Sequence, residues 1–143
     1  MKAQPKKKTK TLPKLKADLD KVFSRYIRLR NADEETGDAI CVTCGIIKHW
    51  KELQNGHFMS RRHHSTRWDE DNCQVQCYSC NVMQQGKQYE YSIWLDDKFG
   101  KGKSDELLLK SKQTLKLDRH DLQQMILEYA EEVTYHLNRI GEL

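Results

Sequence analysis

The chain has no apolar run approaching a membrane span, which needs about 20 consecutive apolar residues as a helix. Its start is rich in lysine, with no apolar stretch after it, so nothing there reads as an export signal. A soluble, cytoplasmic protein is the expectation. No internal repeat occurs, and nothing of low complexity lies beyond the N-terminal lysine tract. Apolar residues are scarce, at 37% against 32% charged in 143 residues. That supports one compact domain with a lean core, which a metal staple would help. The cysteines number five, so they do not pair evenly. Without an export signal disulfides are disfavoured, and zinc is the better use of thiols in C-x-x-C pairs.

The net charge of +4 is unevenly spread. Residues 1–16 hold seven lysines and no acid, leaving 18 basic and 21 acidic residues elsewhere. Residues 1–12 read as a disordered basic arm. Such an arm either solubilises the protein or binds phosphate backbone without reading sequence, an attraction that fades with salt.

Downstream, Leu15, Leu19, Val22, Phe23, Tyr26 and Leu29 recur at helical spacing and predict a helix over 13–31, with Pro13 in its first turn. A polar loop, 31–38, ends it. A strand over Ala39–Val42 enters the first cysteine pair, and Ile46–Leu53 returns as a strand or turn carrying Trp50 inward. Residues 60–67 form a basic loop anchored by Trp68. A helix begins near Cys80, is interrupted at Gly86 and resumes over Tyr89–Phe99. Ser104 reads as the N-cap of a short helix over 105–112. The last helix runs from Asp118 to Ile140, with a stripe of Leu122, Met125, Ile126, Tyr129, Val133, Leu137 and Ile140. That stripe either packs on the rest of the molecule or forms a homodimer seam. The expected division is the arm, a core domain over 13–103 and a helical extension over 104–143.

Two pairs, Cys41/Cys44 and Cys77/Cys80, offer four thiolates, the set that tetrahedral zinc prefers. The 32 residues between Cys44 and Cys77 exceed a simple zinc ribbon, so this insert must fold into something. Cys73 is expected to be buried and unliganded. The insert carries N-G-H-F at 55–58 and Asn72; C-Y-S-C-N follows at 77–81.

Gly56-His57-Phe58, Asn72 and Asn81, in that order around the cysteine pairs, resemble the HNH nucleases. The wider run, N-G-H-F, R-W-D-E-D-N, Q-C-Y-S-C-N, Gly86, Tyr89 and Phe99-Gly100, is similar to the NinG (Rap) family of lambda-like phage recombination endonucleases. The similarity covers about residues 20–100 and is weaker in the terminal helix. It implies an α+β fold: a zinc-stapled ββα-metal (HNH, treble-clef-like) core with flanking N- and C-terminal helices, mostly helical overall. It implies cutting of branched DNA such as Holliday junctions and D-loops, alongside phage or host recombination proteins.

The chemistry follows from residue types. Phosphodiester hydrolysis needs an attacking water, neutralised phosphate charge and a stabilised leaving oxygen. A histidine neutral near pH 7 can take the water's proton, and His57 is the candidate base. A hard cation, Mg²⁺ or Mn²⁺, accepts an amide oxygen and keeps several waters; Asn81 is its candidate ligand. By the resemblance, Asn72 braces the loop bearing the histidine. Many HNH enzymes have Asp just before the catalytic His, where this chain has Gly56. Asp69 or Asp71 is left as a possible second carboxylate. Arg61, Arg62, Arg67 and Lys87 are candidate DNA contacts, guanidinium being suited to phosphate.

Each residue also has a plainer reading. His57 alone is a satisfied core or loop histidine; Asn72 and Asn81 cap turns; the arginines are a solvated loop. His63 and His64 read as phosphate-facing or solvated, His49 as a bystander near the first knuckle, and His120 and His136 as surface residues. Two rivals to a junction nuclease remain: a non-catalytic zinc module that binds DNA or a recombination partner, and a general HNH endonuclease on linear duplex DNA.

Overall fold

The structure is a computed structural model and describes residues 2–5 and 8–143. The disorder expected of the arm falls partly on Met1, Lys6 and Lys7, outside the described residues. The fold is α+β, and about half of the chain is helical, less than the mostly helical expectation. No helix of the described residues is long and apolar enough to cross a membrane.

Helix α1, Leu12–Leu29, opens with Thr11 as its cap and Pro13 in the first turn. The Thr11 hydroxyl accepts from the Lys14 amide, satisfying a donor that the helix itself leaves unpaired. Its apolar stripe buries Leu15, Leu19, Phe23, Ile27 and Leu29. Helix α5, Arg119–Arg139, lies along it and begins with a reciprocal cap between Asp118 and Asp121. Leu122 joins the α1 cluster directly, with Met125, Ile126 and Tyr129 packed around it. Val133 and Ile140 close a second cluster with Leu29 and Trp50. The α5 stripe thus lies against α1.

Among the described residues, four short strands make two antiparallel pairs. Strand β1, Asp38–Ile40, pairs with β2, Ile47–His49, and carries the first cysteine knuckle at its turn. Strand β3, Gln54–His57, pairs with β4, Cys73–Gln76, setting His57 opposite Cys73. Strand β4 is buried along its whole length, Gln74 and Gln76 included. Helix α3, Gln88–Phe99, follows and buries Tyr91 and Leu95 with Phe58 and Leu107. The Tyr91 hydroxyl donates to the Gly56 carbonyl at 2.7 Å, fixing α3 to the end of β3.

Three local expectations need correction. The basic loop contains a single helical turn, α2, His64–Arg67, held because the Ser65 hydroxyl donates to the Lys110 carbonyl. No regular helix begins at Cys80; Ser79–Met83 is one wide π-type turn, and α3 starts only after Gly86. Ser104 does not cap helix α4, Lys103–Ser111; Gly102 holds the cap position in a left-handed conformation. The Ser104 amide and hydroxyl instead donate to the Asp96 carboxylate, which claims them first.

Candidate functional site

The four paired cysteines converge. The sulfurs of Cys41, Cys44, Cys77 and Cys80 all lie within 4.8 Å of one another, and Cys44 Sγ is 3.7 Å from Cys77 Sγ. Zinc bound at about 2.3 Å by four sulfurs sets their separation at roughly 3.8 Å, so the cluster can hold a zinc ion. Gly45, at φ +78, turns the backbone sharply behind Cys44. Burial opposes ionisation of Cys41, but the Thr43 hydroxyl and nearby backbone amides outweigh it and bring that thiol down to about 6. Cys73 is fully buried outside the cluster, where burial drives its thiol well above the usual range.

A cavity of about 820 Å³ lies beside β3. His57 and Asn81 both line it, so the structure brings together two residues 24 positions apart. The His57 Nε2 lies 2.9 Å from the Arg67 carbonyl. A carbonyl only accepts, so Nε2 carries the proton and Nδ1 keeps the lone pair of the neutral ring. Burial holds the imidazole below its ordinary pKa, against the weaker pull of the Arg67 carbonyl and the Asp20 charge. Asn81 donates from Nδ2 to Gln54 Oε1 at 2.8 Å, which fixes the amide and leaves Oδ1 as the free oxygen.

Asn72 is fully buried and ties both ends of the loop after His57. Its Nδ2 donates to the Met59 and Thr66 carbonyls, and its Oδ1 accepts from the Met59 amide at 2.8 Å. Arg67 is not a free cation. It clamps Asp20 of α1 with two nitrogens, Nε at 3.0 Å, while its guanidinium lies over the Trp68 ring. The same carboxylate accepts from Trp68 Nε1 at 3.0 Å. Arg61 lines the cavity and is largely exposed, 3.8 Å from Asp20. Arg62 is exposed, and Lys87 holds a left-handed backbone at the start of α3.

Neither Asp69 nor Asp71 lines this cavity. Asp69 is engaged by Lys110 and by the amides of Asp71 and Asn72, and Asp71 by Lys103. Among the described residues, the one carboxylate lining it is Asp20. Gly56 has a packing reason of its own. A Cβ there would sit 2.0 Å from Gln76 Oε1, so the Gln76 side chain fills the space that a side chain at 56 would need. Gln76 Nε2 donates to Thr43 Oγ1 and to the Gly86 carbonyl, linking the first knuckle to the turn after Asn81.

Of the remaining histidines, His63 alone among the described residues shares the cavity with His57. His64 stacks on Trp68. His49 contacts Glu142, and His120 is exposed. His136 is not at the surface as expected: its ring is largely covered, 6.0 Å from Tyr26 and bonded to Arg139.

Sequence reasoning missed Asp20, Ser24 and Arg28, which supply the α1 wall of the cavity. Their signal was present as i, i+4, i+8 spacing beside the apolar stripe, but nothing in the pattern says what that face meets. A family model described as "Bacteriophage Lambda NinG protein" matches residues 1–139. No curated protein and no solved structure matches the chain.

Proposed function

The chain belongs to the bacteriophage lambda NinG family, and we propose from that premise that its cavity is the active site of a metal-dependent endonuclease of the HNH (ββα-metal) group, acting on branched DNA. The observation that carries this reading is the meeting of His57 and Asn81 on one cavity, each with one polar atom committed and one free. The order β3, β4, wide turn and α3, beside a four-cysteine cluster, supports the ββα grouping.

In this reading His57 accepts the proton of the attacking water at Nδ1, while Arg67 holds the ring through Nε2. Asn72 keeps the intervening loop at fixed length, so the base does not drift from the reacting phosphate. The free Oδ1 of Asn81 suits a hard cation that retains most of its waters. When bound there, Mg²⁺ or Mn²⁺ would stabilise the negative charge growing on the phosphate and leaving oxygen. Arg61 and Arg62 offer phosphate contacts that ignore base identity, which suits recognition by shape.

A second reading, a non-catalytic zinc module that binds DNA, draws on Gly56: the position of the usual second metal ligand is filled by Gln76. Incubating the protein with four-way, forked and linear DNA of one sequence, with and without Mg²⁺, separates the two. Mg²⁺-dependent cutting that favours the four-way substrate is expected. Binding without nicking at any Mg²⁺ concentration would point to the module, and equal cutting of linear duplex would remove the branch preference.

A further inference from the structure

Arg28 stands on the α1 wall of the cavity, one turn after Ser24. Its Nε donates to the Ser24 carbonyl at 3.1 Å and its Nη1 reaches the Trp50 carbonyl at 3.5 Å, while the guanidinium lies over the Trp50 ring at 5.2 Å. These contacts fix the planar group, and Nη2 has no partner among the described residues. The arginines in ion pairs there are Arg30, Arg61, Arg67 and Arg139; Arg28 is not among them.

A half-buried guanidinium without a counterion carries a desolvation cost that an incoming anion relieves. Burial, together with neighbouring Arg25, already lowers its pKa. Asp20, one turn before Ser24, is paired with Arg67, which offsets much of its repulsion of an anion here. The Ser24 hydroxyl, also on this wall, adds a second donor of the kind that phosphate oxygens accept.

We propose that Arg28 and Ser24 form a binding site for a DNA backbone phosphate on the α1 wall of the cavity. The assignment rests on reading the cavity as a DNA-cleaving site, and it makes α1 part of the substrate surface. It also exchanges roles between two arginines. Arg67, in the basic loop, is a structural clamp, while Arg28, 39 residues earlier, takes the phosphate.

The test uses the full chain carrying His57→Ala, so that DNA is bound and not cut, with a synthetic four-way junction as probe. Affinity is measured across a salt series for this parent, for the added Arg28→Gln and for the added Arg28→Lys. Arg28→Gln is expected to weaken binding about 10-fold and to reduce the slope of log K against log salt by about 0.9, one lost phosphate contact. Arg28→Lys keeps the charge and the stem over Trp50, so it should keep the parent slope and lose affinity only a few-fold, for want of the planar fork. Unchanged affinity and slope in both variants overturn the phosphate site while leaving the cavity reading intact. A parent that binds no DNA overturns both. Melting temperatures are compared throughout, and Arg28→Lys decides if Arg28→Gln proves unfolded.

Discussion

The Nε2 of His57 lies 2.9 Å from the main-chain carbonyl of Arg67, whose own side chain is clamped by Asp20 from α1. A residue outside the cysteine-bounded insert thus fixes the carbonyl that orients the candidate base. Asp20 and Arg67 are mostly buried, with side chains 19% and 17% exposed. Replacing Asp20 with Asn removes the charge and leaves the guanidinium poorly paired. A loss of about 2 kcal/mol in folding stability is expected, measured by urea denaturation. Cleavage should fall further than that loss alone explains under conditions where the variant is fully folded.

The pH dependence of cleavage should carry the signature of a buried imidazole. Burial disfavours the charged ring, so half-protonation lies below the ordinary 6.5. A base works only when neutral, so the rate rises with pH through that lowered value and levels off above it. Arg61 and Arg67 also disfavour the imidazolium, whereas Asp20 favours it. Asp20→Asn should therefore move the acid limb to still lower pH. A limb shifted upward in that variant would contradict the assignment of His57 as base.

Zinc should be stoichiometric and bound by four particular thiols. Cys77→Ser is expected to lower metal content and melting temperature together, because the ion closes a loop of 32 residues. Cys73→Ala serves as the contrast. Its sulfur lies outside the cluster, 3.6 Å from the Arg67 carbonyl, so metal content should be unchanged. Metal analysis of both purified variants checks this directly.

Gly56→Ala should destabilise the fold by about 2 kcal/mol through overpacking against Gln76. Gln76→Ala removes the obstructing oxygen. The double variant should then cost less than the sum of the two single changes, as measured by a denaturation cycle. An additive result would mean that the two positions do not compete for space.

Much of the frame was legible in sequence because it rests on local rules. The apolar stripe of α1, the acidic cap at Asp118 and the two C-x-x-C pairs each carry their signal within a few residues. The rest depends on partners far apart in the chain. Strand β4 carries two glutamines, which hid a fully buried strand; Gln76 is held there at its Nε2, which donates to Thr43 and Gly86, while its Oε1 has no partner among the described residues. Ser104 had the residue type of a cap, but Asp96, eight residues earlier, took its donors. Arg67 had the look of a loop cation until Asp20, 47 residues away, neutralised it. No local pattern announces such pairings, and the α1 wall of the cavity went unseen for the same reason.

Single-turnover cleavage of a four-way junction by the His57→Ala chain, run beside a binding titration of the same substrate, tests the central claim most directly. With Mg²⁺ present, the expected result is a rate loss of about 10²-fold or more with junction affinity within a few-fold of the unaltered chain. Cutting at an undiminished rate, with the protein folded and zinc-loaded, would contradict it.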